Sequence, residues 1–500
     1  MKSTETGKSE LERRISEFLS RPLKLFIGGE WVPAQSGKTF EVFNPATGQV
    51  FAHAASGDEA DVDRAVEAAR RAFESTEWRD SSPSYRRDLM LGLADAINSA
   101  ADELARLEML DNGMPLEMAY WAAHLGPVDV LRYFAGWVGK IGGETPCVAD
   151  INHHAYTVRE PVGVVGAIVP WNGPLLGALA KVAPALAAGC TLILKPAEET
   201  PLTAIRLGQL VEKVGFPPGV VNIITGFGET AGRALVRHPD VDKISFTGST
   251  AVGKSIVEAA AGNLKRISLE LGGKSPVFVF PDADIDQAIQ GGATGIFANS
   301  GQMCIAGSRL YVHRAIFDRV VQGVVERAAA LKVGPGDMPG VEMGPLVSKS
   351  QLQRVTGYVD SGRAQGAEVL TGGGTIGTQG YFMQPTVIAR TDRNMRVMRE
   401  EIFGPVVCAT PFGDEDMEEL IRVANDTDYG LAAYIWTRDM RISHKLVRRI
   451  RAGTIRINGA AGFVDPAVPF GGFKQSGWGR EYGREGVDAF LETKSVTYLL

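Results

Sequence analysis

Cys304 is set where a thiol could do chemistry. It lies in Ala298-Asn299-Ser300-Gly301-Gln302-Met303-Cys304-Ile305-Ala306-Gly307-Ser308-Arg309, small and polar residues that follow a helical stretch and put it on a loop. A lone cysteine is commonly core filler. Here glycines on both sides give a substrate access, and a thiol becomes a nucleophile once its thiolate is stabilised or a base stands nearby. Glu270 is the candidate base. It ends an apolar strand and opens the turn Leu271-Gly272-Gly273-Lys274. A carboxylate there is either a solvated strand end or, partly buried, a general base for a proton or a water. Asn172, in Val169-Pro170-Trp171-Asn172-Gly173-Pro174, is the one polar side chain in the window 162–180. Its amide either caps a turn or donates to an oxyanion.

Two further turns suit a phosphorylated ligand. Phe246-Thr247-Gly248-Ser249-Thr250-Ala251-Val252-Gly253 follows a strand and opens a helix, whose N–H groups and dipole favour an anion. The standard G-x-G-x-x-G fingerprint is missing. Gly226-Phe227-Gly228 resembles its start, but Gly232 comes one residue late. Lys195-Pro196-Ala197-Glu198 also follows a strand. Its cation and carboxylate could grip vicinal ribose hydroxyls or form an exposed ion pair.

These residues need elements to hold them. The pattern predicts strands at 162–169, 191–195, 220–225, 243–247 and 266–271. Helices are predicted at 175–188, 201–215 (Thr200 as N-cap, Pro201 at the first helical position), 229–238 and 249–261. Short apolar strands alternating with helices imply right-handed βαβ units and a parallel sheet, which binds ligands at its carboxyl ends. A second α/β pattern has strands at 276–280, 309–313, 406–410 and 454–458, with a helix at 285–298. Residues 139–160 are polar and turn-rich, and 492–500 alternate. Both read as strand-like arms whose expected partner is a second subunit.

Composition bounds the rest. Apolar residues make up 45% and charged residues 22% of 500, a soluble globular balance with room for a large core. Fifty-nine glycines exceed the usual ~7% and imply many tight turns. A net charge of −6 argues against a nucleic-acid partner. Cys147, Cys190, Cys304 and Cys408 have neither disulfide-framework nor zinc spacing, so they read as free thiols of a reducing, cytoplasmic compartment with no metal. The opening residues alternate Lys, Glu and Arg and lack a signal peptide's apolar core. The apolar window 162–180 contains Pro170, Pro174 and four glycines, which suits a buried strand, a turn and a helix start better than a membrane helix.

Taken together, the motifs resemble the aldehyde dehydrogenase superfamily over nearly the whole chain. The carriers are Pro170-Trp171-Asn172, Lys195-Pro196-Ala197-Glu198, Phe246-Thr247-Gly248-Ser249, Glu270-Leu271-Gly272-Gly273-Lys274, Gly301-Gln302-x-Cys304, Glu401-Ile402-Phe403-Gly404-Pro405 and Pro469-Phe470-Gly471-Gly472. The resemblance implies an α/β fold: a Rossmann-like parallel-sheet cofactor domain (1–140 and 161–271), an α/β catalytic domain (272–483) and a small β oligomerisation arm (141–160 and 484–500). It implies oxidation of an aldehyde to a carboxylic acid with NAD. Cys304 forms a thiohemiacetal and then a thioester, Asn172 and the Cys304 N–H hold the oxyanion, and Glu270 activates the hydrolytic water. Lys181 and Glu481 match proton-relay positions, and Glu401 and Phe403 match positions beside the nicotinamide ribose and ring.

Pro170, Trp171, Lys195, Glu198, Gly228, Phe246, Thr247, Gly248, Ser249, Gly253, Leu271 and Gly272 are the other implied cofactor contacts. Leu175, Leu176, Met303, Ile305, Phe463 and Phe470 are expected to line the substrate tunnel. Mostly apolar walls suggest an apolar or aromatic aldehyde. Glu198 favours NAD over NADP, and the presence of Glu270 favours hydrolysis over transfer to coenzyme A. The alternatives are an NADP-preferring semialdehyde dehydrogenase and a catalytically silent relative. Gly173 stands where many relatives carry a bulky residue, and Arg456 replaces a common Trp. A homodimer or homotetramer is expected.

Overall fold

The computed structural model describes residues 5–413, 417–462 and 464–500. Two large sheets organise them. The first runs Gly477–Trp478, Arg266–Glu270, Lys243–Thr247, Val164–Ile168, Thr191–Lys195, Val221–Ile223, Leu25–Ile27 and Glu30–Val32. Its five central strands are parallel, and the edge strands join antiparallel. The central strands are buried along almost their whole length, as a sheet covered by helices on both faces requires. Register levels their carboxyl ends: Glu270 pairs with Thr247, and Ile168 pairs with both Phe246 and Lys195. Strand order reverses between Val164–Ile168 and Lys243–Thr247, which opens a crevice at that end.

The second sheet runs Glu368–Thr371, Thr386–Ala389, Val406–Phe412, Arg309–His313, Pro276–Val279, Ala432–Trp436 and Thr454–Ile457, parallel except at its first strand. The chain passes from Glu270 in the first sheet to Pro276 in the second through the short link 271–275. The carboxyl ends of one sheet therefore abut the amino ends of the other. One apolar core is continuous across the junction, from Val165 and Leu192 to Val277 and Leu310.

Several expectations shift by a residue or more. The window 162–180 divides into the strand Val164–Ile168 and the helix Pro174–Ala188, as its prolines and glycines require. Thr200 is not an N-cap: the next helix is Leu202–Val214, its cap position is Pro201, and the buried Thr200 hydroxyl caps nothing. The helix expected at 229–238 is a π-turn, Gly228–Gly232, followed by Arg233–Arg237. The two arms pair with each other within the chain. Leu491–Leu499 runs antiparallel to His153–Pro161, from Leu491 opposite Pro161 to Leu499 opposite His153. Among the described residues no helix is long and apolar enough to cross a membrane.

Candidate active site

Asn299, Ser300 and Gly301 succeed the helix Ile285–Phe297 with φ of 48°, 55° and 71°. Two consecutive non-glycine residues in the left-handed region cost roughly 1–2 kcal/mol each, so side chains must hold them. Asn299 Nδ2 donates to Asn172 O at 2.8 Å, and Ser300 Oγ to Gly344 O at 2.8 Å. Gln302 is wholly buried; its Nε2 donates to Asn299 O (3.2 Å) and its Oε1 accepts from Val347 N–H (2.9 Å). Tyr434, from the strand Ala432–Trp436 of the second sheet, donates its hydroxyl to Ile305 O at 2.7 Å. Cys304 is thus pinned from both sides while its side chain keeps partial exposure. The link 271–275 passes so close behind it that a Cβ at Gly273 would collide with Cys304 O.

Glu270 ends its strand beside Thr247, 4% exposed, and its Oε2 has no hydrogen-bond partner. Burial pushes this carboxyl well above the usual range. The neighbouring Glu481 carboxylate adds to the rise, and the Lys181 and Arg480 cations oppose it. Lys181, only 1% exposed, ion-pairs with Glu481 and donates to Thr247 Oγ1 at 2.8 Å. Burial raises the Cys304 thiol too, first by desolvation and then by the Glu401 and Glu270 carboxylates; N–H groups of Ile305 and Cys304 pull the other way. Burial thus favours the protonated sulfur, whose proton needs an acceptor. Asn172 Nδ2 donates to Gln302 O at 2.9 Å, which orients the amide beside the same loop and leaves its second N–H for another acceptor.

Several of the expected cofactor residues sit at the carboxyl ends of the first sheet's strands. Lys195 is buried and its Nζ lies 3.1 Å from the Glu198 carboxylate, whose side chain is 31% exposed. Ser249 caps the helix Thr250–Ala260 by accepting from Val252 N–H. Gly253, one turn in, packs on Leu271, and Gly248 N–H bonds to Glu270 O at 3.0 Å. Gly228 opens the exposed π-turn, and Gly232 faces Lys195. Glu401 accepts from Gly273 N–H at 2.8 Å, closes on Gly272, and is raised by burial to about 7. Phe403, at φ 61°, meets Trp171 edge-on with ring centroids 5.2 Å apart. One buried cation beside a half-exposed carboxylate, plus a helix N-terminus and a second carboxylate, matches the hydroxyl and phosphate groups of a dinucleotide.

The expected tunnel residues divide. Leu176 and Met303 are partly exposed, Met303 next to Cys304 in the chain. Leu175 is wholly buried on the opposite face of its helix, among core residues, and cannot line a tunnel. Ile305 and Phe470 are buried behind the loop. Phe463 lies outside the described residues. Arg309 is a scaffold, its guanidinium spent on the Lys274, Val423 and Ala424 carbonyls.

Sequence reasoning missed Asn299 as a loop brace, Tyr434, and Ser476. Ser476 Oγ donates to Gly272 O (2.6 Å) and accepts from Gly430 N–H (2.9 Å). Tyr434 sits in an apolar strand run and carried no signal. Asn299, in a short polar run next to a glycine, did.

The comparisons with known proteins agree with this geometry. The model of the aldehyde dehydrogenase family matches residues 31–496, so the chain belongs to that family of oxidoreductases. It is 50% identical to a mitochondrial aldehyde dehydrogenase of Leishmania tarentolae, covering 95% of this chain and 94% of that one. It is 47% identical to the phenylacetaldehyde dehydrogenase of Pseudomonas fluorescens, with 96% of each covered. The fold matches the NAD+ complex of aldehyde dehydrogenase from Bacillus cereus at a TM-score of 0.96 and 46% identity, over 97% of this chain and 98% of that one.

Proposed function

We propose that this enzyme oxidises an aldehyde to its carboxylic acid with NAD and water, using Cys304 as nucleophile and Glu270 as base. The observation that carries the proposal is Glu270 Oε2, a buried carboxylate oxygen with no partner, in the electrostatic reach of the Cys304 thiol. Its raised basicity suits proton removal. Glu270 takes the thiol proton, directly or through a water, and the sulfur adds to the aldehyde carbonyl. The oxyanion of the thiohemiacetal accepts from Asn172 Nδ2–H and the Cys304 N–H. Bound in the crevice, NAD supplies the hydride acceptor. Glu270 then takes a proton from the water that attacks the Cys304 thioester, and acid leaves as the thiol is restored. Lys181, Glu481 and Thr247 form a polar path behind Glu270 by which its proton is passed on.

Glu198 supports NAD over NADP, because a 2′-phosphate beside Lys195 would meet that carboxylate. Relatives solved with NAD+ are consistent with this choice. The semialdehyde alternative is disfavoured, since Arg309, the nearest cation in sequence to Cys304, is spent on backbone carbonyls. NADH absorbance with a panel of aldehydes, together with detection of the acid, tests the activity. Faster initial rates with NADP would overturn the cofactor assignment.

Residues 1–140 with 161–271 serve as the cofactor domain and 272–483 as the catalytic domain in this reading. The paired arms, 141–160 and 484–500, join copies into a homodimer or homotetramer in the cytoplasm. The exposed Tyr498, Leu499 and Leu500 support that role. Light scattering of a chain cut before Leu491 should give a smaller mass than the full chain, and an unchanged mass would remove the arm from the assembly.

A further inference from the structure

The turn that carries Asn172 is held from outside. The helix after it, Pro174–Ala188, starts behind Gly173, which has no side chain to cap it, and opens on a proline, which has no N–H. Partners come instead from the helix Ala101–Asn112. It presents Glu108 and Asn112, both wholly buried and four residues apart, on one face. Asn112 Nδ2 donates to Trp171 O at 2.7 Å, and Glu108 Oε2 accepts from Leu175 N–H at 3.3 Å. These two bonds bracket Asn172. Burial raises the Glu108 carboxyl to about 8, against the pull of the Leu175 N–H and the Thr203 hydroxyl, so the neutral acid is the accepting form at neutral pH. Asn112 Oδ1 has no hydrogen-bond partner among the described residues. A half-satisfied buried amide works against stability, so stability alone would favour an apolar residue here.

The same helix end reaches the other half of the site. It closes at Gly113, φ 89°, against residues 344–345: a Cβ on Gly344 would collide with Gly113 O, and one on Gly113 with the Pro345 ring. Gly344 O in turn accepts from Ser300 Oγ of the nucleophile loop at 2.8 Å. One helix terminus is therefore tied through Trp171 to the segment bearing Asn172, and through Gly344 to the loop bearing Cys304. Asn299 Nδ2 to Asn172 O and Asn172 Nδ2 to Gln302 O close the ring.

We propose that Asn112 is a positioning residue for the oxyanion hole: its amide fixes the Trp171–Asn172 peptide so that Asn172 Nδ2 meets the oxyanion formed at Cys304, with Glu108 as the second anchor. This rests on the reading of Cys304 as nucleophile and Asn172 as oxyanion donor, and it names what holds that donor in place. Asn112 acts through Asn172 alone, so its worth depends on Asn172 being present.

A double-mutant cycle read in kcat tests this. Asn112→Leu keeps the branched shape of the side chain and removes the donor. In the wild-type background it should lower kcat about 10–100-fold, the scale of a misplacement near 1 Å, with the KM for aldehyde and the affinity for NAD nearly unchanged. In the Asn172→Ala background the same change should lower kcat by less than about threefold, because the group it positions is already gone. Equal losses in both backgrounds would make Asn112 a general support of the fold and overturn the proposal, as would an unchanged kcat in Asn112→Leu. Asn112→Ala, which adds no bulk, runs the same cycle if the Leu variant folds poorly. At the second anchor, Glu108→Gln keeps a neutral acceptor for Leu175 N–H and should keep kcat, whereas Glu108→Leu should lose it; equal kcat in the two would remove Glu108 from the device. Asn172→Ala by itself separates the two readings. If it loses kcat and Asn112→Leu does not, only the positioning role fails; if it loses nothing, the oxyanion assignment fails and the positioning role with it.

Discussion

Glu270 and Lys181, at the floor of the site, are buried, and each is fixed by its neighbours: a strand register, an ion pair, a hydroxyl. Gly173 and Gly177, at its mouth, touch almost nothing beyond their own helix turn. Only a few residues separate the two regions along the helix Pro174–Ala188, yet they follow opposite rules. At the floor, Lys181 has set partners in Glu481 and Thr247, whereas Glu270 Oε2 has none and is left open for chemistry. At the mouth, side chains are withheld. Packing therefore fixes the charged groups of the floor, and the mouth keeps positions that can change without disturbing the core.

Breaking the floor should have the largest effects. Cys304→Ala removes the sulfur and should lower turnover by at least about 10⁴-fold. Calorimetry should still show NAD binding, because the crevice does not depend on the thiol. Residual activity within tenfold of wild type would mean another nucleophile. Asn172→Ala should cost about 10²–10³ in kcat, the usual loss for one oxyanion donor. If KM alone changed, the amide would be a positioning group.

The pH profile sharpens the same contrast. The Glu270 carboxyl is raised by burial first and by Glu481 second, so its base form increases as pH rises. Activity should climb with pH, with its rising limb above the ordinary carboxylate range. Glu481→Gln removes the like charge and should move the rising limb to lower pH, whatever it does to the maximum; a limb that stays put would exclude Glu481 from the electrostatics of Glu270. The smallest effect is expected in the crevice. Glu198→Gln should narrow the NAD-over-NADP ratio of kcat/KM by about tenfold or less, as suits a partly screened charge. No change would show that Glu198 does not set cofactor choice.

The floor was legible in the sequence and the mouth only in part. Cys304, Glu270 and Asn172 stood in turns of distinctive composition, and the strands ending at Lys195, Thr247 and Glu270 followed from short apolar runs. Local signals of that kind survive folding. The orientation of Leu175 was misread because adjacent helix residues point in different directions: Leu175 enters the core and Leu176 stays partly exposed. Tyr434 was invisible because its role depends on a hydroxyl reaching Ile305 across the fold. The arms were recognised as strands, but their pairing with each other joins residues far apart in the chain, which no local pattern encodes.

The central claim is that Glu270 releases the acyl group from Cys304. It is tested most directly by rapid mixing of Glu270→Gln with NAD and saturating aldehyde while NADH absorbance is followed. A slowed burst that still approaches one NADH per active site, followed by a slower steady rate, is the predicted result, since the thiol has lost its base and the thioester then waits for an unactivated water. Steady turnover at the wild-type rate with no burst would contradict the account.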